Sequence, residues 1–199
     1  DVRRIVASVS KQRQTLLFSA TMPGDISKLA SEILKNPEKV EIAPQGRTVE
    51  KVDQRVYFVP AAAKRALLSH LLADETLERV IVFTRTKRGA DRVAKGLEQA
   101  GVDAAAIHGD KSQGQRERAL AEFKEGKVRV LVATDIAARG LDIEALPHVV
   151  NYDLPHVAED YVHRIGRTGR AGVEGEAVSF VSAEERPLMT AIERLINRK

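Results

Sequence analysis

Short apolar runs alternate with helical patterns along residues 53–199. The runs are apolar on both faces, as expected for parallel strands that are covered by helices on either side. We predict strands over residues 54–59, 80–84, 104–108, 130–133, 149–152 and 177–181. Apolar residues recur at helical spacing over 63–72, 88–99, 113–124, 157–162 and from a capping-box pattern at 182–185 to residue 196. This alternation predicts an α/β fold with an open parallel sheet flanked by helices on both faces.

Residues 1–42 follow a different pattern. Residues 15–18 predict a short strand, a helical pattern begins around Pro23, and residues 40–42 predict one more strand. These elements are too few to bury their own apolar faces, so we expect 1–42 to be the end of a preceding domain or a segment that docks elsewhere. Residues 43–52 are polar with Pro and Gly, which predicts an interdomain linker, and 53–199 are expected to form a complete second domain.

Composition narrows the class of protein. The 199 residues are 43% hydrophobic, which suffices for a buried core, and 32 Lys+Arg against 28 Asp+Glu permit an anionic partner without requiring one. The absence of cysteine excludes disulfides and thiolate metal sites, and the scattered histidines predict no metal site built from protein ligands alone. No apolar run approaches the roughly 20 residues of a membrane span. We therefore expect a cytoplasmic protein with no membrane partner.

Glycines and basic residues are combined in the run 161–172, directly after a short helical pattern. Glycine lets the backbone approach a ligand closely, and the planar guanidinium of arginine suits phosphate oxygens. We interpret Arg167 and Arg170 as candidates for sensing the terminal phosphate of a nucleotide. A solvated basic loop is the alternative.

Polar residues follow the ends of the predicted strands. Ligands of open parallel sheets bind beyond the carboxyl ends of the strands, so we expect all of these motifs, including 161–172, at that edge. Thr86 lies in a basic turn near a helix start, which suits a phosphate. Gly109 permits close backbone approach, and Arg116 projects from the first turn of the next helix. The alternatives are an ordinary loop at Thr86 and a helix cap with an exposed arginine near Arg116.

Residues 132–142, VATDIAARGLD, form the longest of these motifs. Thr134 can donate to a phosphate oxygen as a neutral group, and the Asp142 carboxylate is suited to accept from a ribose hydroxyl. The alternatives are that Asp135 caps the next helix and that Asp142 ends a turn.

Several of these motifs resemble those of the DEAD-box RNA helicases of superfamily 2. The string HRIGRTGR at 163–170 closely resembles motif VI, and VATDIAARGLD resembles motifs V and Va. Ser-Ala-Thr at 19–21 resembles motif III, and Gln113 with Arg116 matches the QxxR element. The run VIVFTRTK at 80–87 resembles motif IV, in a form most similar to the bacterial RhlE-type subgroup.

The resemblance implies roles for individual residues. It implies that Arg167 and Arg170 are catalytic arginine fingers, and that these two together with Gly140 and Asp142 contact the nucleotide. It implies contacts to the RNA backbone by Thr86, Gly109, Gln113, Arg116 and Thr134. It implies coupling roles between the nucleotide and RNA sites for Ser19, Thr21, His163 and Arg164.

The resemblance also implies an activity, an ATP-dependent RNA helicase whose two RecA-like domains close on ATP, Mg²⁺ and RNA. The RNA would be held by its sugar-phosphate backbone without sequence preference. The sequence contains neither G-x-x-x-x-G-K-[ST] nor an Asp-Glu-Ala-Asp box, so we expect the C-terminal half of the enzyme, with most Mg²⁺ ligands and its partner in an N-terminal RecA-like domain. The alternatives are a non-catalytic RNA- or protein-binding module and a DNA-translocating superfamily 2 helicase.

We expect the purified 199-residue chain to have no ATPase activity and to bind ATP poorly, because it lacks the phosphate-binding loop. Phosphate release measured with and without RNA tests this expectation. Robust RNA-stimulated release would contradict it.

Overall fold

The computed structural model describes residues 1–19, 22, 24–41, 52–139, 141, 143, 146–169 and 175–197. The chain divides into two compact units, Asp1–Ala43 and Pro44–Lys199. No helix in these described ranges is long and apolar enough to cross a membrane. The predicted linker at 43–52 lies outside the described residues, except for Val52.

The described part of the first unit contains two helices, α1 (Val2–Ser8) and α2 (Gly24–Ile33). Arg3 Nε donates to Glu32 Oε2 at 2.8 Å and links the two helices. The predicted strand at 15–18 is wrong, because these residues have no strand conformation and Phe18 is 87% exposed. Residues 40 and 41 are not in a strand either. A strand needs a hydrogen-bonded neighbour, and the described part of this unit supplies none.

In the second unit, the residues that the structure describes form one six-stranded sheet, in which each strand pairs with its neighbours in parallel. The strands are β1 (Val52–Phe58), β2 (Val80–Phe83), β3 (Ala104–Ile107), β4 (Val130–Ala133), β5 (His148–Asn151) and β6 (Gly175–Val181). Their order across the sheet is β1-β6-β5-β2-β4-β3. All six strands predicted for residues 53–199 are therefore confirmed, with ends that differ by one or two residues.

Helices connect the strands. They are α3 (Lys64–Leu71), α4 (Lys87–Gln99), α5 (Gln113–Lys124), α6 (Asp135–Ala138), α7 (Ala158–Ile165) and α8 (Arg186–Ile196). Short 3-10 turns at Ala61–Ala63 and Ala183–Glu185 precede α3 and α8. Ser112 and Gln115 form a capping box at the start of α5, so the local sequence fixes where this helix begins.

Apolar side chains are buried on both faces of the sheet, because successive strand residues point to opposite sides. On one face, Ile81 and Phe83 of β2 belong to a core with α5, α7 and α8. On the other face, Val80 and Val82 belong to a core with α3 and α4. The predicted α/β fold, an open parallel sheet with helices on both faces, is confirmed.

Gly175 begins β6 in a position that leaves no room for a side chain. A Cβ there would overlap the Thr168 hydroxyl and lie 2.6 Å from Gly169 N. Thr168 is fully buried and its hydroxyl donates to the Leu146 carbonyl, so it is held in place. Glycine is required here by close packing between β6 and the segment that follows α7.

We expect Gly175→Ala to lower the free energy of unfolding by about 1–3 kcal/mol, the usual cost of forcing extra atoms into a packed site. Gly114→Ala is the matched control, because nothing lies within 4 Å of its Cβ position and alanine favours a helix. Chemical denaturation measures both variants. Equal stability of the two variants would contradict the close packing at Gly175.

Candidate nucleotide and nucleic-acid site

Three adjacent strands end side by side at one edge of the sheet. β4 lies between β2 and β3, and Phe83, Ala133 and Ile107 stand in register at their ends. The next residues of all three strands therefore form a continuous row, which we call the carboxyl edge. Candidates for RNA contact that follow these strand ends are Thr86, Gly109 and Thr134.

Thr86 is the N-cap of α4, and its hydroxyl oxygen accepts a hydrogen bond from Gly89 N at 3.0 Å. An ordinary capped loop was the alternative interpretation, and the cap is present. A hydroxyl that accepts through its oxygen still has its own proton to donate. Thr86 is thereby oriented at the positive end of α4 with one donor left for an anionic ligand.

The space next to Gly109 is occupied by Lys87. A Cβ at Gly109 would lie 3.5 Å from Lys87 Cε, an ordinary contact distance. Lys87 Nζ lies 2.5 Å from Asp110 Oδ1, and this hydrogen bond holds the pKa of Asp110 below its usual value. Close packing therefore does not require glycine at position 109, and the nearest cation is already paired.

Gln113 and Arg116 lie in the first turn of α5 and bind each other. Arg116 Nη1 donates to Gln113 Oε1 at 3.2 Å, and Gln113 Nε2 donates to Glu117 Oε1 at 2.8 Å. Arg116 Nε is buried and has no hydrogen-bond partner among the described residues. The pair is thus preorganised at a helix start, where backbone N–H groups also favour an anion.

Thr134 and Asp135 follow the end of β4. Thr134 is buried and is the N-cap of α6, although its side chain makes no capping hydrogen bond. The alternative that Asp135 caps this helix is wrong, because Asp135 is the first helical residue. Its carboxylate binds Arg164 instead.

Arg164 is 1% exposed and uses all of its guanidinium nitrogens. Nε and Nη2 donate to the two carboxylate oxygens of Asp135 at 2.6 and 2.8 Å. Nη1 donates to Asp153 O at 2.6 Å and to Asn151 Oδ1 at 3.2 Å. The guanidinium carbon also lies 5.0 Å from the centre of the Phe83 ring. Arg164 is therefore buried and bound to the protein through all three guanidinium nitrogens.

Arg167 does not lie at the carboxyl edge, and the prediction that all motifs share this edge is wrong for it. Its carbonyl accepts from Leu146 N at 3.0 Å, and Thr168 forms a parallel bridge with Leu146. Leu146 precedes β5, so the backbone of Arg167 is level with the amino ends of the strands. The reason is that α7 runs back across the sheet after β5 has ended. The side chain of Arg167 is half-buried.

The structure describes residues between α6 and β5 that contact α7 or belong to the core beneath it. Arg139 Nη2 lies 2.5 Å from Asp160 Oδ1, while Ile143 and Leu146 belong to the core beneath α7. We call α7, Arg139, Ile143 and Leu146 together the α7 face.

The remaining candidates differ in what the structure describes. His163 is half-buried on α7, and Ser19 is exposed in the first unit. The predictions for Thr21, Gly140, Asp142 and Arg170 fall on residues outside the described part of the chain.

The sequence motifs did not predict a role for His108, a buried histidine beside the carboxyl edge. His108 is 3% exposed, its Nδ1 accepts from Asp110 N, and its Nε2 lies 3.0 Å from Asp91 Oδ1. Burial raises the pKa of Asp91, but its hydrogen bonds with His108 and Lys111 lower the pKa by more. The pKa of Asp91 therefore lies below its usual value. No spacing signal could have paired His108 with Asp91, because the two residues lie on different elements.

A cavity of about 460 Å³ lies apart from the candidates, near the amino ends of β2, β5 and β6. Its lining includes Tyr57, Leu71, Val80, His148 and Glu176. None of the described residues that the sequence predicts as site residues lines it.

Comparison with known proteins gives a consistent result. Residues 63–172 match the helicase conserved C-terminal domain. The chain is 46% identical over all 199 residues to the DEAD-box ATP-dependent RNA helicase CshA of Bacillus subtilis, of which it covers 40%. It spans about 40% of the length of such curated bacterial relatives. A relative of the RhlE-type subgroup is not among these, so that finer assignment stays a prediction.

Two solved structures share the fold. The E. coli DEAD-box protein SrmB, bound to regulator of ribonuclease activity A, is 40% identical with a TM-score of 0.69, and the match covers 74% of this chain and 86% of that one. Saccharomyces cerevisiae Dbp5 bound to RNA and ADP BeF3 is 32% identical with a TM-score of 0.85. That match covers all of this chain and 52% of Dbp5.

We expect Arg164→Met to lower the free energy of unfolding by about 3–5 kcal/mol, because it leaves the carboxylate of Asp135 without its buried partner. Arg139→Met is the matched control, since Arg139 pairs with Asp160 between the same two segments but is 61% exposed. We expect that variant to cost less than about 1 kcal/mol. Denaturant unfolding of both variants is the measurement. Similar losses in the free energy of unfolding would contradict the claim that burial makes the Arg164–Asp135 pair the more stabilising of the two.

Proposed function

The chain belongs to the DEAD-box helicase family and carries its conserved C-terminal domain, and from this premise we propose that it is the C-terminal half of an ATP-dependent RNA helicase. The intact enzyme would unwind or remodel RNA duplexes through ATP-driven closure of two RecA-like domains. The observation that carries the proposal is the Arg164–Asp135 pair, which ties the α7 face to the carboxyl edge. We propose boundaries at 1–42 for the end of the first domain, 43–52 for the linker and 53–199 for the second domain, in a cytoplasmic protein.

RNA is the ligand we propose for the carboxyl edge. The proposed contacts are made by Thr86, Gly109, Gln113, Arg116 and Thr134. Support comes from the free hydroxyl proton of Thr86 and the prepaired Gln113–Arg116 turn, which suit phosphate oxygens. Such contacts bind the sugar-phosphate backbone and give no preference for an RNA sequence.

ATP with Mg²⁺ is the cofactor we propose for the α7 face. Arg167 fits the triphosphate because it follows α7 on that face and is half-buried, whereas Arg164 is 1% exposed and binds the protein through all three of its guanidinium nitrogens. Arg170, Gly140 and Asp142 are proposed to complete the contacts to the nucleotide. The phosphate loop and most Mg²⁺ ligands are assigned to the N-terminal RecA-like domain, which we propose as the partner of this domain.

The Arg164–Asp135 pair would couple the two sites. Asp135 directly follows the proposed RNA contact Thr134, and Arg164 lies three residues before the proposed finger Arg167. A movement of the protein at either proposed site would therefore be transmitted to the other site through the buried Arg164–Asp135 contact. His163 on α7, and Ser19 and Thr21 in the first unit, are proposed to take part in this coupling.

We expect Arg167→Ala in the full-length protein to lower the rate of ATP hydrolysis by about 10³-fold or more and to abolish unwinding, as for other arginine fingers. Affinity for single-stranded RNA should be retained, because Arg167 is not on the carboxyl edge. Steady-state hydrolysis, a duplex-unwinding assay and RNA binding are the measurements. Unchanged unwinding would remove this role from Arg167.

We expect Arg116→Ala in the full-length protein to weaken RNA binding. The slope of the logarithm of the RNA affinity against the logarithm of the salt concentration should fall by about 0.7, the value for one lost contact to a single-stranded phosphate. Binding titrations at several salt concentrations measure both quantities. An unchanged slope would contradict a phosphate contact by Arg116.

A further inference from the structure

We propose that Glu185 is a positioning residue for RNA binding, because its carboxylate holds Arg85 and thereby fixes the loop that presents Thr86. Glu185 ends the 3-10 turn before α8, a hundred residues away from this loop in the sequence. The inference rests on the proposed RNA contact of Thr86. It assigns a role to a residue that lies outside every helicase motif described above.

One carboxylate oxygen of Glu185 binds the loops after β2 and β5. Glu185 is 4% exposed, and its Oε1 accepts from Arg85 Nη2 at 2.5 Å and from Leu154 N at 3.1 Å. Arg85 follows β2 and Leu154 follows β5, which are neighbours in the sheet. Oε1 thus connects two loops at the carboxyl edge.

The other oxygen binds α3 and the turn of Glu185 itself. Oε2 accepts from Lys64 Nζ at 2.5 Å and from Ser182 N at 3.0 Å. Lys64 is 3% exposed and also donates to Tyr152 O at 2.7 Å. One carboxylate therefore receives four donors, and each donor comes from a different segment of the chain.

Arg85 is held at three atoms. Besides the bond to Glu185, its backbone N donates to Asp153 Oδ2 at 3.0 Å and its Nε donates to Leu154 O at 3.3 Å. Its guanidinium therefore points toward Glu185 and binds other parts of the protein. Arg85 lies between Thr84 and Thr86 in the sequence, and the Thr84 hydroxyl donates to Thr86 O at 3.3 Å. Fixing Arg85 fixes both neighbours, and with them the hydroxyl of Thr86.

Glu185 acts in its ionised form. Burial raises its pKa, but the hydrogen bonds from Lys64 and the backbone N–H groups of Ser182 and Leu154 outweigh burial, so that the pKa lies below its usual value. Two cations, Lys64 and Arg85, thus bind the buried carboxylate of Glu185, and Lys64 Nζ also lies 3.8 Å from Asp153 Oδ1. Buried ionic clusters contribute little net stability compared with apolar side chains of the same volume. Their hydrogen bonds are directional, however, which suits the positioning of a loop.

The test uses the full-length protein with a mixed-sequence single-stranded RNA and a non-hydrolysable ATP analogue. We expect Glu185→Gln to weaken RNA binding about tenfold, the scale of one lost hydrogen bond between charged groups. The rate of ATP hydrolysis at saturating RNA should be unchanged, so the effect appears in KM for RNA and not in kcat. Arg85→Met breaks the same contact from the loop side and should give the same result, and it decides the question if Glu185→Gln fails to fold.

Lys64→Met is the matched control. It removes another buried partner of Glu185 but leaves the Arg85 contact intact, so we expect a lower Tm with RNA affinity within about twofold of the unaltered protein. Parallel losses of RNA affinity in Glu185→Gln and Lys64→Met would overturn the inference and show a merely structural role. Unchanged affinity in Glu185→Gln or Arg85→Met, with Arg116→Ala still weakened, would overturn it while leaving the proposed function standing. If Arg116→Ala also binds normally, the proposed RNA edge itself is wrong.

Discussion

The buried guanidinium of Arg164 determines how the parts of this domain fit together. A buried charge is costly unless every donor is satisfied, and here the partners come from the residues that follow β4 and from the end of β5. The ring of Phe83, at the end of β2, lies against the same group. The ends of three strands are thereby tied to α7 by one side chain. This constraint explains why α7, which runs away from the carboxyl edge, keeps a fixed position relative to that edge.

The constraint also separates two surfaces. The carboxyl edge carries short polar residues at the starts of α4 and α5, whereas the α7 face carries Arg167 on a segment paired with Leu146. Thr134 and Arg167 lie at opposite ends of the strands, so one ligand does not need to span both. The two proposed ligands would bind to two surfaces that one buried contact joins, so the binding of each would change the affinity for the other.

The sequence predicted the second unit well, because strands covered on both faces and capped helices leave strong local patterns. The strand prediction failed at Leu16 and Phe18, because this apolar run is exposed and the described residues of the first unit offer it no strand to pair with. The sequence also could not show that Arg164 is buried whereas Arg167 is half-buried, since both belong to one basic run. Contacts such as Lys64 with Glu185 join residues 121 positions apart and leave no local signal. The predicted roles of Gly140, Asp142 and Arg170 stay predictions.

The most direct test of the account is the affinity of the full-length protein for single-stranded RNA, measured with and without a non-hydrolysable ATP analogue, in the unaltered protein and in Asp135→Asn. The account predicts that the analogue strengthens RNA binding by a factor within the usual range of about 5–150 in the unaltered protein. In Asp135→Asn this factor should fall toward one, while the affinity without the analogue changes by less than about twofold. An undiminished factor in Asp135→Asn would contradict the claim that the Arg164–Asp135 contact joins the two surfaces.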